Sequence, residues 1–352
     1  MSITTDKVLD SRANQVDPAN IQFGKTYSDH MLVADCIDGI WQDPKIVPYG
    51  NISMSPATTF IHYGQSIFEG IKAYKNKEEE VSIFRPYDNW TRFNRSAERM
   101  AMPHVPEDIF IGGMKELVSL DRDWVPTSEG CSLYIRPFMF ATDEFIGVKP
   151  AENFRFMIIT SPAGAYYSKP TRIYVQKKYV RAFPGGIGFT KAAGNYGATM
   201  LPTLEIKNLN YDQILWTDAI EHKFVQEIGT MNVFFVLGNK VITPDLSEGT
   251  ILAGVTRDSI IKLLKERGII VEERPLSMQE IVDSYKKGEF REAFGAGTAA
   301  VIAPIAELFY EGETIYPASQ EKWEISNWLK KELIDIRYGA VADRHHWMYK
   351  VC

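Results

Sequence analysis

Between residues 161 and 172 the chain reads SPAGAYYSKPTR, and this segment limits the possible folds more than any other. Pro162 and Pro170 remove backbone donors, and Gly164 and the small residues around it favour irregular backbone, which makes the stretch the best linker candidate in the chain. The 352 residues exceed one core at about 150 residues per domain, so a break near the middle implies two compact halves. The boundaries expected from sequence are a first domain over 1–163, a linker over 164–172 and a second domain over 173–352.

Both halves mix strand and helix signals. Upstream, HMLVADCIDGIW reads as a strand entering a turn, and the runs from TTFIHYGQSIFEGIKAYKN to VSIFRP read as short strands of an antiparallel sheet. NWTRFNRSAERM has helical spacing with Asn89 as its expected cap, and CSLYIRPFMFAT and FRFMIIT read as buried strands. Downstream, TRIYVQ and QILWTD read as strands, and NVFFVLGNKVITP as a hairpin turning at Gly238-Asn239. TRDSIIKLLKERG is an amphipathic helix stopped by Gly268, and SMQEIVDSYKKG opens on the capping box Ser277 to Glu280 and closes at Gly288. A last helix is expected over 319–339. The fold class implied is α+β in two domains.

Composition removes several functions. Lys and Arg number 39 against 45 Asp and Glu, a net charge of −6 with an isoelectric point near 5.7, so neither the total nor any basic tract suits a nucleic acid. Cys36, Cys131 and Cys352 are far apart and form no C-x-x-C, which argues against a disulfide framework and a thiolate metal site and fits a reducing compartment. The first twenty residues lack an apolar signal core and carry Asp6, Asp10 and Asp17. The uncharged run from Ala293 to Ala306 is too short for a membrane span and is broken by Gly295, Gly297 and Pro304. These readings imply a cytoplasmic protein with no membrane partner and no metal.

The candidate chemistry centres on GFTKAAGNYGATM, where Lys191 lies among Gly188, Ala192, Ala193 and Gly194. It is either a surface lysine in a glycine-rich loop or an amine that forms a Schiff base, small neighbours leaving space for something flat beside it. A phosphate-binding Walker loop is ruled out, because Thr190 precedes the lysine and Ala192 follows it. Glu227, at the edge of the apolar run FVQEIGTMNVFFVL, needs a partner if buried: either an arginine, or the ring nitrogen of a pyridine cofactor, which a carboxylate keeps protonated. Tyr196 is either a packed aromatic or a donor to that ring's oxygen. For a phosphate the chain offers Arg92, the amides of Val255 and Thr256 where GVTRDS opens a helix, and the glycine-flanked Thr298. Arg136, between Ile135 and Pro137 in SLYIRPFMF, is either paired within the structure or facing a pocket for a carboxylate.

Taken in order, FGKTYSDHM, HYGQSIFEGIKAY, FRPYDNWTRF, SLYIRP, KAAGNYGATMLP, EIGTMNVFFV, GVTRDSI, FGAGTAAVIAP and DIRYG make the chain resemble the branched-chain aminotransferases, pyridoxal-phosphate enzymes of fold type IV, over nearly its whole length. The resemblance implies a small α+β domain, a linker and a larger pseudo-barrel domain carrying the cofactor lysine, working as a homodimer. It also implies that Lys191 carries pyridoxal 5'-phosphate and later moves the proton, that Tyr196 contacts the ring oxygen, and that Glu227 binds the ring nitrogen with Thr230 close by. Arg92, Val255, Thr256 and Thr298 match the phosphate site, and Arg181 a cofactor-side arginine. Ala299, beside Thr298, matches a backbone contact to the substrate's α-carboxylate.

For the substrate side chain the resemblance implies a pocket of Phe23, Tyr63, Phe68, Tyr134 and Tyr166, with Ile146 and Val148 supplied by the other subunit. Arg136 matches the arginine through which that pocket also takes the distal carboxylate of glutamate. The implied reaction is ping-pong transfer of an amino group between L-leucine, L-isoleucine or L-valine and 2-oxoglutarate. The nearest alternatives are a D-amino-acid transaminase and an aminodeoxychorismate lyase of the same fold type. Where some animal members have C-x-x-C, this chain has Ala300-Val301-Ile302-Ala303, so thiol regulation there is not expected.

Overall fold

The computed structural model describes residues 1–17, 21–128, 130–164 and 169–352. They group into two compact units, one formed by Met1–Tyr166, Thr190–Gly194 and Ile334–Cys352, the other by Tyr167–Phe189 and Asn195–Leu333. This division differs from one cut at 164–172: the lysine segment and the C-terminal segment both belong with the N-terminal part. Local pairing explains why, since Ala192 bridges to Ile67 and the last strand joins the first unit's sheet.

Nine strands of the first unit come before the linker: β1 (Thr4–Thr5), β2 (His30–Ile37), β3 (Ile40–Trp41), β4 (Lys45–Pro48), β5 (Ser66–Phe68), β6 (Ile71–Lys75), β7 (Val81–Phe84), β8 (Ser132–Ala141) and β9 (Phe154–Ala163). The longest ladder is β8 against β9, antiparallel from Ser132↔Ala163 to Ala141↔Phe154. β5 and β6 both pair with β8, which sets Phe68 opposite Phe138 and Lys72 opposite Tyr134.

The stretch TTFIHY, read above as strand, instead makes a short helix, α1 (Thr59–Tyr63). Its β-branched and aromatic residues suit a strand, but Gly64 at φ +67° ends the turn after five residues. Helix α2 (Pro86–Arg99) begins three residues before the expected cap, because Arg85 takes the left-handed conformation and Pro86 starts the helix. Asn89 lies in the first turns and donates its side-chain N–H to the Arg85 carbonyl. Helix α3 (Gly113–Leu120) completes the first unit's larger helices.

The second unit holds β10 (Thr171–Val175), β11 (Gln213–Thr217), β12 (Val225–Ile228), β13 (Met231–Leu237), β14 (Lys240–Thr243), β15 (Ile270–Glu273), β16 (Phe290–Gly297), β17 (Val301–Tyr310) and β18 (Glu313–Ile315). Six of them close on themselves in the order β12-β11-β10-β17-β16-β13, with β13 pairing back to β12. This closure is the pseudo-barrel the resemblance implies. Its hydrophobic cluster joins Ile173, Leu215, Val233, Phe235, Ile305 and Leu308 to Met278 and Ile281 of the capped helix. The uncharged run 293–306 therefore supplies the two barrel strands β16 and β17.

Helices α4 (Ala193–Gly197) and α5 (Met200–Asn208) follow Lys191 and were not expected from sequence. Helix α6 (Val255–Glu266) and helix α7 (Met278–Lys286) match the reading, and the Ser277 hydroxyl accepts from the Glu280 amide. The last helix, α8 (Glu324–Arg337), begins five residues later than expected. Its N-terminal amides at Ile325 and Ser326 are capped from a distance by the Glu292 carboxylate of β16. Strand β19 (Met348–Lys350) closes the chain against β7. No helix of the described residues is long and apolar enough to cross a membrane.

Lys72 on β6 is buried, and burial, with Arg337 nearby, lowers its pKa to about 7. Below that pH the folded protein carries a desolvated ammonium. Between about pH 7 and the unfolded value near 10.5 only the unfolded chain holds the proton, so stability rises with pH across that window. A Lys72→Met variant is therefore expected to raise the melting temperature most below about pH 7, the gain shrinking as pH approaches 10. Thermal melts across that range check this, and a gain that is constant or grows with pH contradicts it.

Candidate active site

In the first unit, both sides of the Lys191 peptide are fixed. Its N–H donates to Ser96 Oγ at 3.1 Å, and its carbonyl accepts from the Phe68 amide at 3.1 Å. The ammonium lies 5.0 Å from the centre of the Phe68 ring. The Arg136 guanidinium lies 4.5 Å from the centre of the same ring, and its Nη2 donates to the Tyr134 hydroxyl at 2.9 Å. Arg136 Nε is buried with no hydrogen-bond partner. Phe23 meets Tyr134 edge to face at 4.9 Å. A side chain at Gly70 would displace Tyr134, because an added Cβ would lie 2.2 Å from its hydroxyl.

Thus Lys191, Phe68, Tyr134, Arg136 and Phe23 form one chain of contacts, an apolar surface bordered by two cations. Tyr63 belongs to a different contact, donating its hydroxyl to the Ile146 carbonyl. Ile146 and Val148 are 67% and 87% exposed. Tyr166 lies outside the described residues.

Arg92 stands one helical turn before Ser96 on α2, and both its Nε and Nη2 donate to the Glu69 carboxylate, at 2.7 and 2.8 Å. Both side chains are buried. Sequence reasoning missed Glu69 and Ser96. The one signal for Glu69 is an acidic residue inside the apolar run SIFEGI, which requires a cationic partner without naming it.

In the second unit Glu227 is buried on β12. Its Oε1 accepts from the Leu252 amide at 2.8 Å and from Asn232 Nδ2 at 3.4 Å. Its Oε2 lies 3.1 Å from Arg181 Nε, an ion pair outside hydrogen-bond geometry. Both readings of Glu227 remain compatible with this arrangement, since the arginine is there and the carboxylate is still set among donors. Arg181 Nη2 donates to the carbonyls of Gly188 and Thr250, which brings these two backbones close together.

A Cβ at Gly188 would lie 2.5 Å from both Ala182 Cβ and the Thr250 carbonyl oxygen. Gly188→Ala is expected to destabilise the fold by about 1–3 kcal/mol and to loosen Arg181 from Glu227. Thermal unfolding with activity measured in parallel checks this, and an unchanged melting temperature counts against it.

Thr230 is exposed in the two-residue turn between β12 and β13, where Gly229 has φ +54°. Val255 and Thr256 form the first turn of α6, the partial-positive end of a twelve-residue helix. Gly254 caps that helix, and a Cβ there would fall 2.0 Å from Asn232 Oδ1. Thr298 and Ala299 form the turn between β16 and β17, and Tyr196 sits half-buried in α4.

Residues 66–308 match the family model described as amino-transferase class IV. The chain belongs to the class IV aminotransferases. A probable branched-chain-amino-acid aminotransferase of Staphylococcus aureus (strain MRSA252) is 50% identical over 336 residues, covering 94% of this chain and 93% of that one. The branched-chain-amino-acid transaminase 1 of Bacillus subtilis (strain 168) is 44% identical over 340 residues, 95% of each. Among solved structures, the branched-chain aminotransferase of the thermophilic archaeon Thermoproteus uzoniensis with norvaline superposes with a TM-score of 0.74 at 25% identity, covering 92% of this class IV chain and 100% of that one.

Proposed function

We propose that the protein transfers the amino group reversibly between L-leucine, L-isoleucine or L-valine and 2-oxoglutarate, using pyridoxal 5'-phosphate. The observation that carries this reading is the single aromatic ring of Phe68, touched by the Lys191 ammonium and by the Arg136 guanidinium. An amine suited to Schiff-base and proton chemistry thus stands beside an apolar surface that also has a cation for a carboxylate. An aliphatic side chain gains about 25 cal/mol per Å² on such a surface, and a glutamate side chain would pair with Arg136.

The residues of the second unit fit the cofactor. Glu227 is a buried carboxylate with two hydrogen-bond donors and an ion pair, and the start of α6 presents a helix N-terminus behind a glycine whose Cβ position is already filled. When bound, pyridoxal phosphate supplies the electron sink that acidifies the substrate's Cα–H bond. Lys191 Nζ would serve as the held general base and acid, taking a proton from the substrate's Cα and giving it back. Glu227, with Thr230 close by, would hold the proton on the ring nitrogen, Arg181 pairs with that carboxylate, and Tyr196 would donate to the ring oxygen.

The first-turn amides of α6 at Val255 and Thr256, with Thr298 and with Arg92 held by Glu69, bind the phosphate. The Ala299 amide, with Thr298, orients the α-carboxylate. Phe23, Tyr63, Phe68 and Tyr134 would line the side-chain pocket, and Ile146 and Val148, exposed in one chain, would enter the partner's pocket in a cytoplasmic homodimer.

Mixing the cofactor-loaded protein with L-leucine should bleach its visible band, and 2-oxoglutarate should restore it with release of glutamate. Bleaching by D-alanine and not by L-leucine, or pyruvate release from aminodeoxychorismate, overturns the assignment.

A further inference from the structure

We propose that Asn232 is a positioning residue tying the carboxylate that receives the cofactor's ring nitrogen to the helix end that receives its phosphate. This rests on the reading above, in which Glu227 takes the ring nitrogen.

Glu227 and Asn232 are cross-strand partners in the β12–β13 ladder, directly opposite, so their side chains emerge on one face. Asn232 is buried, and β13 is buried along its whole length with Met, Val, Phe and Leu at its other positions. An amide in that row costs stability unless it is hydrogen-bonded. Its bonds are specific: Nδ2 donates to the Leu252 carbonyl at 2.9 Å and lies 3.4 Å from Glu227 Oε1, while the Leu252 amide donates to the same Oε1 at 2.8 Å. These contacts close a ring through the backbone of Leu252, two residues before Gly254. The other end of the amide packs on Gly254, where an added Cβ would approach Oδ1 to 2.0 Å.

One side chain therefore links the Glu227 carboxylate to the approach of the α6 N-terminus. A flat ring anchored at its nitrogen and at its phosphate needs a constant distance between those anchors. A shift of either would tilt the ring, and small misplacements carry large rate costs.

The test compares Asn232→Ala, Asn232→Asp and Glu227→Ala in the cofactor-loaded enzyme. Asn232→Ala should lower kcat/KM by about ten- to a hundred-fold, the scale of a lost hydrogen bond to a charged group, and weaken cofactor binding by about tenfold in a visible-absorbance titration. Asn232→Asp puts an acceptor where a donor stood. Its carboxyl, buried beside Glu227, holds its proton to raised pH, and Arg181, on the other oxygen of Glu227, is unchanged in both variants. On lowering the pH that carboxyl regains an O–H donor, so the kcat/KM deficit of Asn232→Asp should shrink while that of Asn232→Ala stays level. A purely structural role moves both variants alike with pH.

Wild-type kcat/KM and cofactor affinity in both Asn232 variants, or a deficit in Asn232→Asp that does not change with pH, overturns the inference. Wild-type turnover in Glu227→Ala instead removes the reading on which it rests. Loss in Glu227→Ala with intact Asn232 variants removes the inference alone.

Discussion

Lys191→Ala is expected to lose the visible absorbance of the cofactor-loaded protein and at least about a thousand-fold in turnover, the scale of a removed general acid–base group. The fold should survive. The contacts that fix this peptide, Lys191 N–H to Ser96 Oγ and Phe68 N–H to the Lys191 carbonyl, use backbone atoms that alanine retains. The side chain is only half-buried, so its removal falls in the range of surface changes, within about 1 kcal/mol. Spectroscopy, steady-state rates and a melting curve on one preparation separate loss of chemistry from loss of structure. A retained absorbance band with a retained rate would place the chemistry on another amine.

The second large effect is expected at Glu227. Replacing it with Ala leaves Arg181 buried without its carboxylate and the Leu252 amide without its acceptor. Breaking one side of a buried pair costs about 3–5 kcal/mol, because the remaining charge stays desolvated. Turnover should fall by about a hundred-fold or more, since a ring nitrogen with no acid to hold its proton is a poor electron sink.

The two losses have different causes, and a double variant separates them. Glu227→Ala with Arg181→Met removes the stranded charge, so much of the stability should return while turnover stays low. A double variant that regains activity along with its melting temperature would show that Glu227 serves the fold and not the reaction.

The sequence made local features legible. The Ser277 cap, the stops at Gly268 and Gly288 and the turn at Gly238 each depend on residues within a few positions of one another. The same holds for the lysine segment, whose small neighbours announce it. What the sequence left hidden has partners far along the chain. Glu292 caps α8 from 33 residues away, Glu69 meets Arg92 across 23, and closure of the barrel by β12 on β13 depends on four other strands lying between them in space. Asn232 stood within a quoted motif, yet its role needed the backbone of Leu252, 20 residues on. The interleaving of 190–194 and 334–352 with the N-terminal unit has the same origin, because strand pairing is indifferent to distance along the chain.

Borohydride reduction of the cofactor-loaded protein, followed by proteolysis and peptide mass spectrometry, bears most directly on the central claim. The phosphopyridoxyl mass should appear on the peptide containing Lys191. The same mass on a different lysine, or an unmodified Lys191 peptide from protein that still turns over L-leucine, would contradict it.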